Sequence, residues 1–91
     1  MRPKTLTILG QRWTIQYGPL DGEHGNTDGD KRRIVIDSSD KSAPGRHTLL
    51  HEVLHAILHE SGQNETLGAL EEGVVRAIEH GLAPLLKTLA K

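Results

Sequence analysis

The chain has no cysteine and no phenylalanine, and one tryptophan and one tyrosine among its 91 residues. Without cysteine there is no disulfide to staple a fold and no thiolate to hold a metal, which fits a reducing compartment. Aromatic residues make up 2% and hydrophobic residues 35%, so the core must be small and aliphatic. Domains of this size often need a staple, and a bound metal is one of the usual ones. An excess of charge is lacking too: 11 basic residues stand against 12 acidic ones, for a net charge of −1. The longest basic run, Lys31-Arg32-Arg33, is too short to be the electrostatic footprint of a nucleic-acid binder, so no nucleic-acid partner is expected. No apolar run approaches the roughly 18–20 residues of a membrane span. The opening Met1-Arg2-Pro3-Lys4-Thr5 has no apolar signal region. No repeat or low-complexity tract divides the chain. The expectation is a single domain over residues 1–91, cytoplasmic and without a membrane anchor.

Against this sparse background stands His51-Glu52-Val53-Leu54-His55. Two histidines four residues apart lie on one face of a helix, about 6 Å apart along its axis. Both imidazoles can then reach one metal ion, usually zinc at about 2.0–2.1 Å. Glu52, one step round the helix, is placed to take a proton from a water that the metal activates rather than to bind the metal. With 6 His in the chain, random placement yields such a pattern about 3% of the time, so the motif needs its context. Leu50, Leu54, Ile57 and Leu58 recur at helical spacing around it and predict a buried helix. Polar groups buried in such a helix need partners, since an unpaired one costs about 1–3 kcal/mol, and a metal would supply one.

Residues 5–17 read as a hairpin: Leu6 and Ile8 alternate with threonines, Gly10-Gln11 makes the turn, and Trp13, Ile15 and Tyr17 alternate with polar residues. Residues 18–31, dense in Gly and Asp, read as a solvated loop, with His24 exposed in it. Arg33-Ile34-Val35-Ile36-Asp37 reads as a third strand. Ser42 and Pro44 suit the start of the motif helix, over about 45–60, and Gly62 its end. Asn64 caps a second helix from Glu65 to His80, and Pro84 starts or kinks a short last one. The fold class expected is α+β: a small three-stranded antiparallel sheet followed by the H-E-x-x-H helix, a carboxylate-bearing helix and a short C-terminal helix.

An open catalytic zinc site needs a third protein ligand. His59 continues the 51, 55 series, but a straight helix places it about 12 Å along the axis from His51, too far to share an ion. The second helix offers carboxylates. With Leu67, Leu70, Val74 and Ile78 as its apolar face and about 100° per residue, Glu71 falls inside the apolar arc at about 40° from Leu67. Glu72 at about 140° and Glu79 at about 120° fall outside. Glu71 is the expected ligand. Glu72 is the alternative, otherwise a solvent residue paired with Arg76 at i+4.

H-E-V-L-H-A-I-L-H followed by L-G-A-L-E-E-G-V-V-R-A-I resembles a minimal gluzincin-type zinc metallopeptidase, similar to small phage and prophage proteins related to the ImmA/IrrE-like family. The likeness covers roughly residues 33–80. It implies a strand before the motif helix, Zn2+ held by His51, His55 and Glu71, and Glu52 as the catalytic acid/base. The reaction implied is hydrolysis of a peptide or protein substrate, in which zinc lowers the pKa of a water towards about 7 and polarises the scissile carbonyl. Ile34-Val35-Ile36 is a candidate sheet edge on which substrate adds as a strand. Tyr17, Arg46 and His47 are candidates by type for stabilising the oxyanion. Two other readings stay open: a non-catalytic, metal-stabilised binding or regulatory module, and another metal-dependent hydrolase such as a ribonuclease, which the lack of a basic groove disfavours.

Overall fold

The computed structural model describes residues 4–20, 22, 24–38 and 43–89, with the backbone alone for 43–47. Strands β1 (Lys4–Ile8) and β2 (Gln11–Gly18) form the expected antiparallel hairpin, with Leu6 opposite Trp13. The turn lies one residue earlier than the sequence suggests. Leu9 and Gly10 make it, at φ 48° and 83°, the left-handed pair whose twist matches a two-residue hairpin.

The rest of the sheet overturns the three-stranded antiparallel arrangement. β3 (Gly25–Asp28) lies inside the stretch read as a solvated loop, and β4 (Arg33–Asp37) follows it. The strand order is β1-β2-β4-β3. β3 and β4 are antiparallel, but β4 runs parallel to β2, with Ile15 opposite Ile34. The fold is α+β with a four-stranded mixed sheet. Gly25-Asn26-Thr27-Asp28 has no apolar alternation, so nothing in its composition marks a strand; it is held by backbone pairing to β4 and by contact with the helix beneath. β4 carries the strongest β signature, with Ile34 and Ile36 fully buried, and takes an interior position. That placement excludes Ile34-Val35-Ile36 as a substrate-binding edge, and among the described residues β3 is the outermost strand on that side.

One sheet face carries Ile8, Trp13, Ile15, Ile34 and Ile36, packed with Ala56 of α1 (Ala43–Ser61) and flanked by Leu49 and Val53. The helical face that meets the sheet is therefore Leu49-Val53-Ala56 rather than the expected Leu50-Leu54-Ile57-Leu58. Leu54 is buried, but Ile57 remains exposed. His51 and His55 follow Leu49 and Val53 by two residues, about 200° round the helix, so they point away from the sheet.

Gly62, at φ 80°, stops α1 as expected. The expected single helix over Glu65–His80 does not form. A five-residue α2 (Gln63–Leu67) ends at Gly68, whose φ 52° and ψ −122° are open to glycine and strained for other residues. A 3-10 turn, Gly68–Leu70, leads into α3 (Glu71–Leu89). α3 then continues through Gly81 and Pro84, so no separate C-terminal helix exists. Pro84 deprives the carbonyl of His80 of its helical partner, at an exposed position where water can serve it. α3 packs against α1, with Val75 and Glu79 as its buried residues. Among the described residues, no helix is long and apolar enough to cross a membrane. The expected Ser42 cap lies outside the described residues, as do the side chains of Arg46 and His47.

Candidate metal centre

The face of α1 opposite the sheet brings His51 and His55 together with their Nε2 atoms 3.3 Å apart. Two ring nitrogens at that distance cannot both carry protons pointing at each other, so at least one offers a lone pair to the space between them. Glu72 reaches into the same space from α3. Its Oε1 lies 3.0 Å from Nε2 of His55 and its Oε2 3.0 Å from Nε2 of His51. One donor atom from each of His51, His55 and Glu72 falls within 4.8 Å of the others, a group that could hold a metal ion.

The outer nitrogens are held as well. Nδ1 of His51 is 2.8 Å from Oε1 of Glu79, and Nδ1 of His55 is 2.5 Å from Oε2 of Glu71. An Nδ1–H donating to a carboxylate fixes the tautomer that leaves Nε2 free, orients the ring and makes Nε2 more basic. The structure thus brings Glu72, not Glu71, to the Nε2 pair; Glu71 sits on the far side of the His55 ring. The wheel drawn from Leu67 assumed an unbroken helix, and Gly68 breaks it. Counted from Glu71, the first residue of α3, Glu71, Val75 and Glu79 form an i, i+4, i+8 stripe facing α1, with Glu72 one step round. Glu79 was missed for the same reason, and Gly68 was the signal that could have exposed the shift in phase.

Glu72 also accepts the expected i+4 hydrogen bond from Arg76 Nε, at 3.1 Å. Burial works to raise its pKa, but the charge of His51 when protonated, the hydrogen bond from Arg76, and the hydrogen bond and charge of His55 when it too is protonated outweigh that, and the net shift is below the ordinary carboxylate value. The carboxylate is therefore anionic at neutral pH, the form in which it can ligate.

Glu52 lies on the sheet-facing side of α1, 8% exposed. Its Oε1 accepts a 2.5 Å hydrogen bond from Thr27 Oγ1 on β3, and the same hydroxyl is 3.1 Å from the Glu52 carbonyl oxygen. Glu52, His51 and His55 line one cleft of about 1000 Å³, bounded on one side by β3 and on the other by the first turns of α3. His24 is exposed, as expected, and borders it. Tyr17 does not.

His59 does not join the donor group. Its ring meets Trp13 edge-on, with centroids 6.2 Å apart, and packs over Gly29, where a Cβ would collide with it. Beside it, Glu60 accepts a 2.8 Å hydrogen bond from Trp13 Nε1 and is bridged by Arg32 from the β3–β4 turn. The Arg32 hydrogen bond is the main reason the Glu60 carboxyl titrates below its ordinary range, with the Trp13 bond adding to it against the opposing effect of burial. This network ties the β3–β4 hairpin to the end of α1.

No family model matches the sequence, and comparison with curated proteins and with solved structures gave no match either.

Proposed function

We propose that the protein is a zinc-dependent peptide hydrolase of gluzincin type, with His51, His55 and Glu72 as metal ligands and Glu52 as general base. The observation that carries the reading is the arrangement around the two histidines: both Nε2 atoms and a Glu72 oxygen converge, while Glu71 and Glu79 engage the two Nδ1 atoms. Two imidazoles and a carboxylate are a donor set that suits zinc and leaves a position for water. A metal so held would supply Lewis acidity for a carbonyl and would activate a water.

The chain's own groups supply the rest. Glu52 takes the water's proton and returns it to the leaving amine. Glu71 and Glu79 keep the imidazoles aimed. The cleft runs beside β3, whose outer edge pairs with no other strand among the described residues and suits an extended peptide added as a strand. The resemblance of the motif region to gluzincins points the same way, resting on the residues 33–80 that carry it.

The test is metal content after purification without added metal, followed by hydrolysis of unfolded protein. About one zinc per chain is expected in the wild type, in Glu52→Gln and in Glu71→Gln, with loss in Glu72→Gln. Glu52→Gln should keep its zinc and lose hydrolysis by about 10²–10⁴-fold. A folded wild type that takes up no zinc would end the proposal.

A second reading is favoured by one observation: Val75 and Glu79 are the buried residues of α3, so a metal shared by α1 and α3 would itself dock that helix. In that reading the protein is a metal-stabilised binding module. Zinc-dependent folding with equal, undetectable hydrolysis in wild type and Glu52→Gln would select it.

A further inference from the structure

We infer that Gly25 and Thr27 of β3 form a slot that positions the Glu52 carboxylate. The inference rests on the hydrolase reading and adds two positioning residues to it. Glu52 is buried between α1 and β3, and a buried carboxylate needs a donor. Thr27 provides one, its hydroxyl donating to Oε1 at 2.5 Å. Residues two apart on a strand face the same way, so Gly25 looks at the same carboxylate. A Cβ on Gly25 would sit 3.0 Å from both Cγ and Oε2 of Glu52 and 2.7 Å from Cγ2 of Thr48. Gly25 is thus the space into which the side chain fits, and Thr27 is the hook that holds one oxygen.

The composition of β3 supports this division of labour. Gly25-Asn26-Thr27-Asp28 has little that favours a strand, and a glycine inside a strand often marks a close approach by another group. The terminal torsion of a glutamate is broad and roughly two-fold. A hydroxyl bound to Oε1 restricts that rotation. Since β3 is also the outermost described strand beside the cleft, the strand that borders the substrate's path is the one that sets the base.

The experiment uses the whole chain loaded with Co2+ for visible absorption and with Zn2+ for hydrolysis of unfolded casein, comparing wild type, Thr27→Val, Thr27→Ser, Gly25→Ala and Glu52→Gln. Thr27→Val removes the donor at nearly constant shape. It should still bind one cobalt, shift the cobalt absorption towards that of Glu52→Gln, and lose about tenfold or more in kcat with KM unchanged. Thr27→Ser, which keeps the hydroxyl, should restore both readouts to within about threefold of wild type. Gly25→Ala should reproduce the Thr27→Val phenotype with the hydroxyl intact, and it decides the matter if Thr27→Val fails to fold. Wild-type absorption and kcat in Thr27→Val, or in Gly25→Ala, would overturn the inference and leave the hydrolase reading standing. Absorption equal in wild type and Glu52→Gln would overturn the inference alone, whereas a wild type that binds no cobalt would overturn both.

Discussion

Helix α1 is held on its two sides by opposite kinds of contact. Towards the sheet it buries Ala56, flanked by Leu49 and Val53, against Ile8, Trp13, Ile15, Ile34 and Ile36. Towards α3 it presents His51 and His55 to Glu71, Glu72 and Glu79, with Val75 as the buried apolar residue of α3. The first interface is non-directional and gains from area removed from water. The second depends on a few directed polar contacts, in which three carboxylates meet two imidazoles in a group that could hold a metal ion. The difference teaches that the sheet and α1 meet through apolar area, whereas α3 meets α1 through directed polar contacts around one buried valine.

The largest effect expected from breaking this contrast is on the scaffold side. Trp13 is completely buried, and Trp13→Ala should cost about 3–5 kcal/mol, enough to unfold much of a small domain with or without metal. Chemical denaturation followed by circular dichroism measures it; a loss under about 1 kcal/mol would mean that the sheet–helix core is not the main source of stability.

Metal removal should act on the other interface. If the proposed site holds zinc, the metal at about one hundred times its dissociation constant adds about 2.7 kcal/mol to the folded state. Hydrogen exchange with and without chelator should show the amides of α3 losing protection while those of β2 and β4 keep it. Uniform loss across sheet and helix would show that the two regions are one cooperative unit and would erase the distinction.

Glu79→Gln and Glu71→Gln sharpen it further, because neither carboxylate lies at the Nε2 pair. Each should weaken zinc binding by about 10–100-fold without abolishing it, as read by competition with a chromophoric chelator. Complete loss in Glu71→Gln with full retention in Glu72→Gln would reverse the assignment of the third ligand.

The smallest effect belongs to the ion pair that fastens the β3–β4 turn. The Glu60 carboxyl titrates below the ordinary carboxylate range, chiefly through its hydrogen bond from Arg32. A depressed folded-state pKa contributes stability that is present above the unfolded value and is lost as pH falls through the folded one. Glu60→Gln should therefore be slightly less stable than wild type near neutrality and lose less stability on acidification below about pH 4.5. An unchanged acid limb would remove Glu60 from the account.

How much of this was legible beforehand follows from which signals are local. The hairpin of β1 and β2, the β4 run and the motif helix carry period-2 or period-3.6 patterns in adjacent residues, and all three form. β3 was not legible because Gly25-Asn26-Thr27-Asp28 holds its place through β4 and Glu52, both distant along the chain. The parallel alignment of β4 with β2 was hidden for the same reason, since pairing direction is fixed by where the intervening chain travels. In the site, the histidine pair and Glu52 were legible from spacing alone. Glu72 was legible only as the alternative to Glu71 and Glu79 not at all, because a single glycine with positive φ, Gly68, resets the phase of the helix that carries them.

The sequence by itself determined a small cysteine-free chain with two histidines and a glutamate on one helix, since residue type and helical spacing are local properties. Only the tertiary structure decided which carboxylate meets the Nε2 pair, which ones hold the Nδ1 atoms, and which strand touches Glu52. Those choices depend on the rotation of α3 about its own axis and on the order of strands in the sheet, which are settled by packing between segments far apart in the chain.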